Sequence, residues 1–130
     1  DLLGRIGSIV RNPVDVSQSG SNPSRIKEVT KLVLADSSID LVIVQIDAGI
    51  LLKYLPWEFV ESIFTVFIEL RAEQEKPLVI VSPPGAFEGQ RIEMEQRLTA
   101  ASIPVFPTMK RAAKAIINLS QYSRFRNRGQ

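Results

Sequence analysis

Three short runs of aliphatic and β-branched residues constrain this chain more than any other feature: Leu41 to Ile46 (LVIVQI), Leu78 to Val81 (LVIV) and Val105 to Phe106. Apolar runs without alternation suit strands covered on both faces, the usual environment of a parallel sheet. Parallel strands cannot be joined by tight turns, so each pair needs a long crossover. The spacers here have helical patterning. From Pro23, with Asn22 as N-cap, Ile26, Val29, Leu32 and Val33 recur on one face, while Arg25, Lys27, Glu28 and Lys31 fall elsewhere. From about Pro56 to Glu73, polar residues Glu58, Glu61, Ser62, Thr65 and Glu69 keep helical spacing in an otherwise apolar segment. A third helix is predicted from about Glu88 to Ala101, with Met94, Leu98 and Ala101 as its buried line. A fourth is predicted after Thr108, burying Met109, Ala112, Ala113, Ile116 and Leu119.

Strand alternating with helix implies right-handed crossovers and a parallel sheet covered by helices. The pattern predicts an α/β, flavodoxin-like three-layer sandwich: a short parallel sheet of about four strands, Val14 to Ser17 being the first, with helices on both faces. With 130 residues, 45% of them hydrophobic and 23% charged, one domain can bury a core without metal or disulfide. Residues 1–11 read as an N-terminal linker, 12–122 as the domain and 123–130, with Arg124, Arg126 and Arg128, as a basic C-terminal linker. The start at Asp1 and the polar end NRGQ predict a piece of something longer.

Two absences narrow the chemistry. There is no cysteine, hence no thiol nucleophile and no Cys-based zinc site. Histidine is also missing, which removes the commonest general base and any phosphohistidine. A formal charge of +2 is too small to imply a nucleic-acid partner, and no apolar run is long enough to span a bilayer. Neither nucleic acid nor membrane is expected as a partner, and the expected location is cytoplasmic.

Ligands of open parallel sheets sit beyond the carboxyl ends of the strands, which brings three loops to one edge: Ser17 to Asn22, Asp47 to Leu55 and Ser82 to Gly89. Ser17, Gln18, Ser19, Gly20 and Ser21 follow a predicted strand and open a helix, as an anion loop does. They also faintly match the phosphate loop of flavodoxins, and such a string equally makes a plain turn. Asp47 is either a phosphoacceptor at the end of the central strand or a cap held by helix amides. Ala48, Gly49 and Ile50 complete that loop. The apolar arc of the helix from Pro56 to Glu73 is wider than one sheet face covers, so Trp57, Phe64 and Phe67 are expected at an interface with another domain or a second copy. Trp57 and Tyr54 could alternatively flank a flavin. Pro83, Pro84, Gly85 and Gly89 read as turn residues; Glu88, Glu93 and Glu95 read as a solvated face.

The order of landmarks resembles one family in particular. Asn12-Pro13-Val14-Asp15, a helix ending in Leu34-Ala35-Asp36, Ile39 to Val44, Lys76 to Val81, Ser102 to Phe106, Arg111-Ala112-Ala113-Lys114-Ala115 and Tyr122 together look like the second flavodoxin-like domain of NDP-forming acyl-CoA synthetases, relatives of succinyl-CoA synthetase. The resemblance implies part of an acid-thiol ligase. Such enzymes form an acyl phosphate, pass its phosphoryl group to a histidine and carry it to an ATP-grasp domain. CoA, ATP/ADP (or GTP/GDP) and Mg belong to the full enzyme, and this domain alone is expected to bind no cofactor and turn nothing over. The phosphohistidine loop is held between helix starts, and the matching start here is Asp47-Ala48-Gly49-Ile50, expected to lead into the long apolar helix. Succinyl-CoA synthetases have Gly-Gly in place of Ala48-Gly49 and a neutral aromatic in place of Asp47. A carboxylate there repels a phosphoryl group, which makes the Ser17 to Ser21 loop the better anion candidate, with Asn12 and Asp15 fixing its approach. The expected partners are the CoA-binding, phosphohistidine and ATP-grasp domains. Two other readings stay open: an FMN-binding module, and a non-catalytic interaction domain that forms a homodimer.

Overall fold

The computed structural model describes residues 12–16 and 22–128. Its order of elements is α1 (Pro23–Ala35), β1 (Val42–Gln45), α2 (Ala48–Tyr54), α3 (Trp57–Glu73), β2 (Leu78–Val81), α4 (Glu88–Ala100), β3 (Val105–Phe106) and α5 (Met109–Arg128). Among the described residues the sheet has three strands, all parallel, in the order β1-β2-β3. This is an α/β fold with a small open sheet and five helices. Val14 to Ser17 does not form a regular strand within the described residues: Asp15 makes a single-residue bridge, Val14 is exposed, and Ser17 lies outside them.

Strand β2 explains why its sequence is apolar without alternation. Leu78 and Ile80 pack with residues of α1 to α4, while Val79 and Val81 pack with Ala112 and Ile116 of α5. A central strand covered on both faces has no position free for a polar residue. The registers Gln45 with Val81 and Val81 with Phe106 end all three strands at one level.

Helix α1 starts where Asn22 accepts a hydrogen bond from the Arg25 amide (3.2 Å) and Pro23 supplies a ring-fixed first residue. Its buried line is Ile26, Thr30 and Leu34, an i, i+4, i+8 row that faces α3. Leu32, expected inside, is exposed, because the row that meets α3 passes through Thr30 instead. At the other end the Lys76 ammonium donates to the carbonyls of Leu34 and Asp36 (2.7 Å each), satisfying acceptors that the helix leaves open.

Helix α3 is the centre of the larger core. Its apolar arc is wide because α1, α2 and α4 all pack around it, so the surplus is consumed within the domain. Phe64 and Phe67, expected at an interface, are 1% and 0% exposed and belong to the domain's own core. Salt bridges edge this packing. Lys27 and Lys31 of α1 reach Glu69 and Glu73, and Arg97 of α4 reaches Glu61. Exposed pairs of this kind contribute little to stability, so the apolar contacts hold the helices.

Two boundaries differ from expectation. The segment from Asp47 to Leu55, read as a loop, contains α2, which Leu55 and Pro56 separate from α3. Helix α5 runs on through Arg128, past the expected domain end at residue 122, so the basic segment is helical there rather than an irregular linker. Only the first half of α5 rests on the sheet. Ala112 is buried and Ile116 packs beside it, whereas Met109 and Leu119, expected in the core, are exposed.

Candidate functional site

The carboxyl edge of the sheet is assembled by two hydrogen bonds. The Ile46 amide donates to the Val81 carbonyl and the Ser82 amide to the Phe106 carbonyl, both at 2.9 Å. The segments that leave the strands, beginning at Asp47, Ser82 and Pro107, therefore depart side by side. Asp47 and Ser82 head two of the three loops expected at this edge. The other expected residues there, Ser17, Gln18, Ser19, Gly20 and Ser21, lie outside the described residues. Of their expected supports, Asn12 is exposed and Asp15 sits in its bridge. Among the described strands the order never reverses, so they form no switch-point crevice of the kind that holds ligands in doubly wound sheets.

Asp47 follows β1, which is an edge strand of the described sheet and not the central one expected, and there the cap reading holds. Its carboxylate accepts a hydrogen bond from the Ile50 amide at 2.9 Å, and its carbonyl accepts from the Leu51 amide. Ala48 and Gly49 are buried, Ala48 as part of the main core. A Cβ built on Gly49 would lie 3.1 Å from the Ala86 carbonyl oxygen and 3.3 Å from an Asp47 carboxylate oxygen. A side chain at Gly49 would therefore press on both neighbours, since the second and third loops touch at this point. Ile50 is exposed on the outer side. Replacing Asp47 by alanine removes the cap and is expected to cost about 1 kcal/mol, read as a lower urea midpoint at unchanged slope.

Of the other helix starts at this edge, α5 has a side-chain cap and α4 has none. At α4 the N-cap is Phe87, an aromatic residue in the left-handed region (φ 61°, ψ 43°) with no side-chain cap of its own. Glu88 instead accepts from the Gly85 amide of the preceding loop at 2.8 Å while it pairs with Arg91. At α5 the Thr108 hydroxyl oxygen accepts from the Arg111 amide at 3.2 Å.

One polar group at the edge is not satisfied in this way. Ser82 is 4% exposed, and its hydroxyl has no hydrogen-bond partner among the described residues. It had no assigned role in the sequence; the available signal was a serine following a fully buried strand without a break. With no histidine in the chain, Ser82 has no imidazole base to make it a nucleophile.

Trp57 is half-buried and packs against the main core, and Tyr54 is exposed, so these two residues belong to the packing and the surface respectively. A shallow groove of about 530 Å³ runs along α4, lined by Arg91, Ile92, Glu95, Gln96 and Thr99. The Arg91 guanidinium is already bound by Glu88 and Glu95, which leaves the groove no free cation for an anionic ligand. Glu88 and Glu95, read as a solvated face, thus serve as the partners of Arg91. Among the described residues no three carboxylates are placed to hold a metal ion, and no helix is long and apolar enough to cross a membrane.

Local hydrogen bonds hold several carboxyls below their ordinary range. The Ser38 hydroxyl and amide do so for Asp36, Lys31 and then Lys27 for Glu73, and Arg91 and then the Gly85 amide for Glu88. A carboxyl with a depressed folded pKa favours the fold when ionised. Its contribution is complete above about pH 4.5 and lost as pH falls through the folded value. Lys27 is raised, chiefly by Glu69, so its contribution is present below about pH 10 and lost as pH rises through its folded value. All four groups face solvent, so the acid-side loss of stability should be shallow and should shrink further in high salt. Urea midpoints across the acid range, at two ionic strengths, measure this.

No protein-family profile, curated protein or solved structure matches the chain.

Proposed function

We propose that this chain is a flavodoxin-like, three-layer domain of an NDP-forming acyl-CoA synthetase, inactive alone, which positions the phosphohistidine loop of a partner domain. The order of landmarks from Asn12 to Tyr122 supports the family reading, and the parallel α/β fold is compatible with it. One observation bears most on the positioning role: the cap on Asp47 already occupies the helix start that matches the family's phosphohistidine contact. Asp47, Glu88 and Thr108 each hold an amide of their own chain, and the chain has no histidine to carry a phosphoryl group. An edge of this kind offers shape and not phosphotransfer chemistry.

Within this proposal the anion-binding part falls to Ser17, Gln18, Ser19, Gly20 and Ser21, because Asp47 places a negative charge where a phosphoryl group would otherwise approach α2. CoA, the nucleotide and Mg would be held by the other domains. The described strand edge has no lysine-bearing glycine loop to clamp a nucleotide.

Reconstitution tests the reading. The chain is mixed with the CoA-binding, phosphohistidine and ATP-grasp domains of an NDP-forming acyl-CoA synthetase, Mg and inorganic phosphate, and the conversion of acyl-CoA, phosphate and ADP or GDP to the free acid, CoA and the triphosphate is followed. The expected result is turnover in the complete mixture and none with this chain alone. Equal turnover without the chain, or a yellow purified protein with flavin absorbance, would overturn it.

A further inference from the structure

We propose that the distal half of α5 is a docking helix for a protein partner that presents an apolar groove rimmed by carboxylates. This inference stands apart from the ligase reading and uses only the shape and charge of the helix. Beyond Ile116, the last residue of α5 packed on the sheet, the helix continues to Arg128 for roughly three more turns. Leu119 is 69%, Tyr122 63% and Phe125 79% exposed. Large apolar side chains at successive i, i+3 positions on a projecting helix form a stripe and not a scatter of isolated contacts.

Charge identifies the occupant. From Lys110 to Arg128 the helix carries Lys110, Arg111, Lys114, Arg124, Arg126 and Arg128 and no acidic residue. Among the described side chains, Lys110, Arg111, Lys114, Arg124 and Arg126 take part in no salt bridge. A second copy pairing through the same helix would set cation against cation, so the complementary surface is acidic. Arg126 decides between an acidic protein and an anionic bilayer. It follows Tyr122 by four residues and Leu119 by seven, hence shares their face to within roughly 20–40°. A helix lying in a bilayer segregates its cations from its apolar face. Protein interfaces instead place arginine beside aromatic anchors, where carboxylates of the partner can meet it.

The test uses the full chain and a synthetic helical peptide with leucine along one stripe and glutamate on both flanks, titrated by fluorescence anisotropy. The expected result is saturable binding that weakens as salt rises. Tyr122→Ser/Phe125→Ser should weaken it more than tenfold, and Arg124→Gln/Arg126→Gln should weaken it about tenfold while flattening the salt dependence. All four side chains are exposed, so far-UV circular dichroism should find both variants folded, and Tyr122→Phe should retain binding. Three results would overturn the proposal: equal affinity for the peptide with glutamine in place of glutamate, tighter binding to phosphatidylglycerol vesicles or duplex DNA than to the acidic peptide, or self-association in sedimentation that the Tyr122→Ser/Phe125→Ser variant abolishes. Absence of binding to the acidic peptide would overturn it as well.

Discussion

Replacing Phe67 by alanine should lower the stability of the domain by about 3–5 kcal/mol, measured as a shift of the urea midpoint with unchanged slope. The side chain is 0% exposed at the centre of α3, within a cluster that includes Phe64, Ile63 and Leu70. Truncation removes the transfer free energy of a buried ring and leaves a cavity that helices on three sides can only partly close. A domain of this size has roughly 5–15 kcal/mol of stability, so the loss approaches a third or more of the whole. The same substitution separates two roles for α3. An interface residue would leave the midpoint of the isolated chain where it was and change only its association. A core residue moves the midpoint and leaves the sedimentation of the folded chain alone.

Gly49→Val should cost about 1–3 kcal/mol by overpacking, a penalty that acts where the second and third loops touch. Gly49 is helical and buried, so its role is spatial: a Cβ there meets the Ala86 carbonyl oxygen at 3.1 Å and the capping carboxylate of Asp47 at 3.3 Å. Valine is a slightly better helix former than glycine, which offsets the cost by a few tenths of a kcal/mol. The branched side chain must nevertheless displace backbone on one side or the Asp47 cap on the other. The cap should yield first, since it is one hydrogen bond with the exposed Ile50 residue on its far side. Loss of hydrogen-exchange protection at the Ile50 and Leu51 amides, with protection kept through α3, would mark this route. Unchanged stability would show that the two loops do not bear on one another.

Three strands were legible in the sequence because their signal is local: a short β-branched run such as LVIV between turn residues reads as a buried strand, and the crossover lengths follow from parallel pairing, whereas the expected first strand, Val14 to Ser17, is no regular strand among the described residues. Helix α4 was equally plain, since its segment is mostly polar and Met94 and Leu98, expected on its buried line, are both buried. The reading of α3 failed for a tertiary reason. Amphipathic width tells how much apolar surface must be covered, not whether a neighbouring domain or α1, α2 and α4 will cover it. Helix α1 misled through Thr30, a polar residue on the buried row, and α2 was hidden because seven residues ended by Leu55-Pro56 give too little periodicity to read. At the site, the cap on Asp47 follows from residue type and position. The contact of Gly49 with Ala86 does not, since it joins two loops far apart in the chain. The orphaned hydroxyl of Ser82 could not be foreseen from residue type either, because serine is ordinary in a turn and exceptional only once buried.

The claim that assigns phosphoryl binding to the Ser17 to Ser21 loop is that the start of α2 presents no free anion site, because Asp47 already holds the Ile50 amide. Following the Ile50 amide by two-dimensional NMR while inorganic phosphate is titrated into the full chain tests this directly. The account predicts that the Ile50 resonance of the wild-type chain does not move at constant ionic strength, and that it becomes phosphate-sensitive in Asp47→Ala. A saturable shift of Ile50 in the wild-type chain would contradict it and make the start of α2 a phosphate site despite its carboxylate.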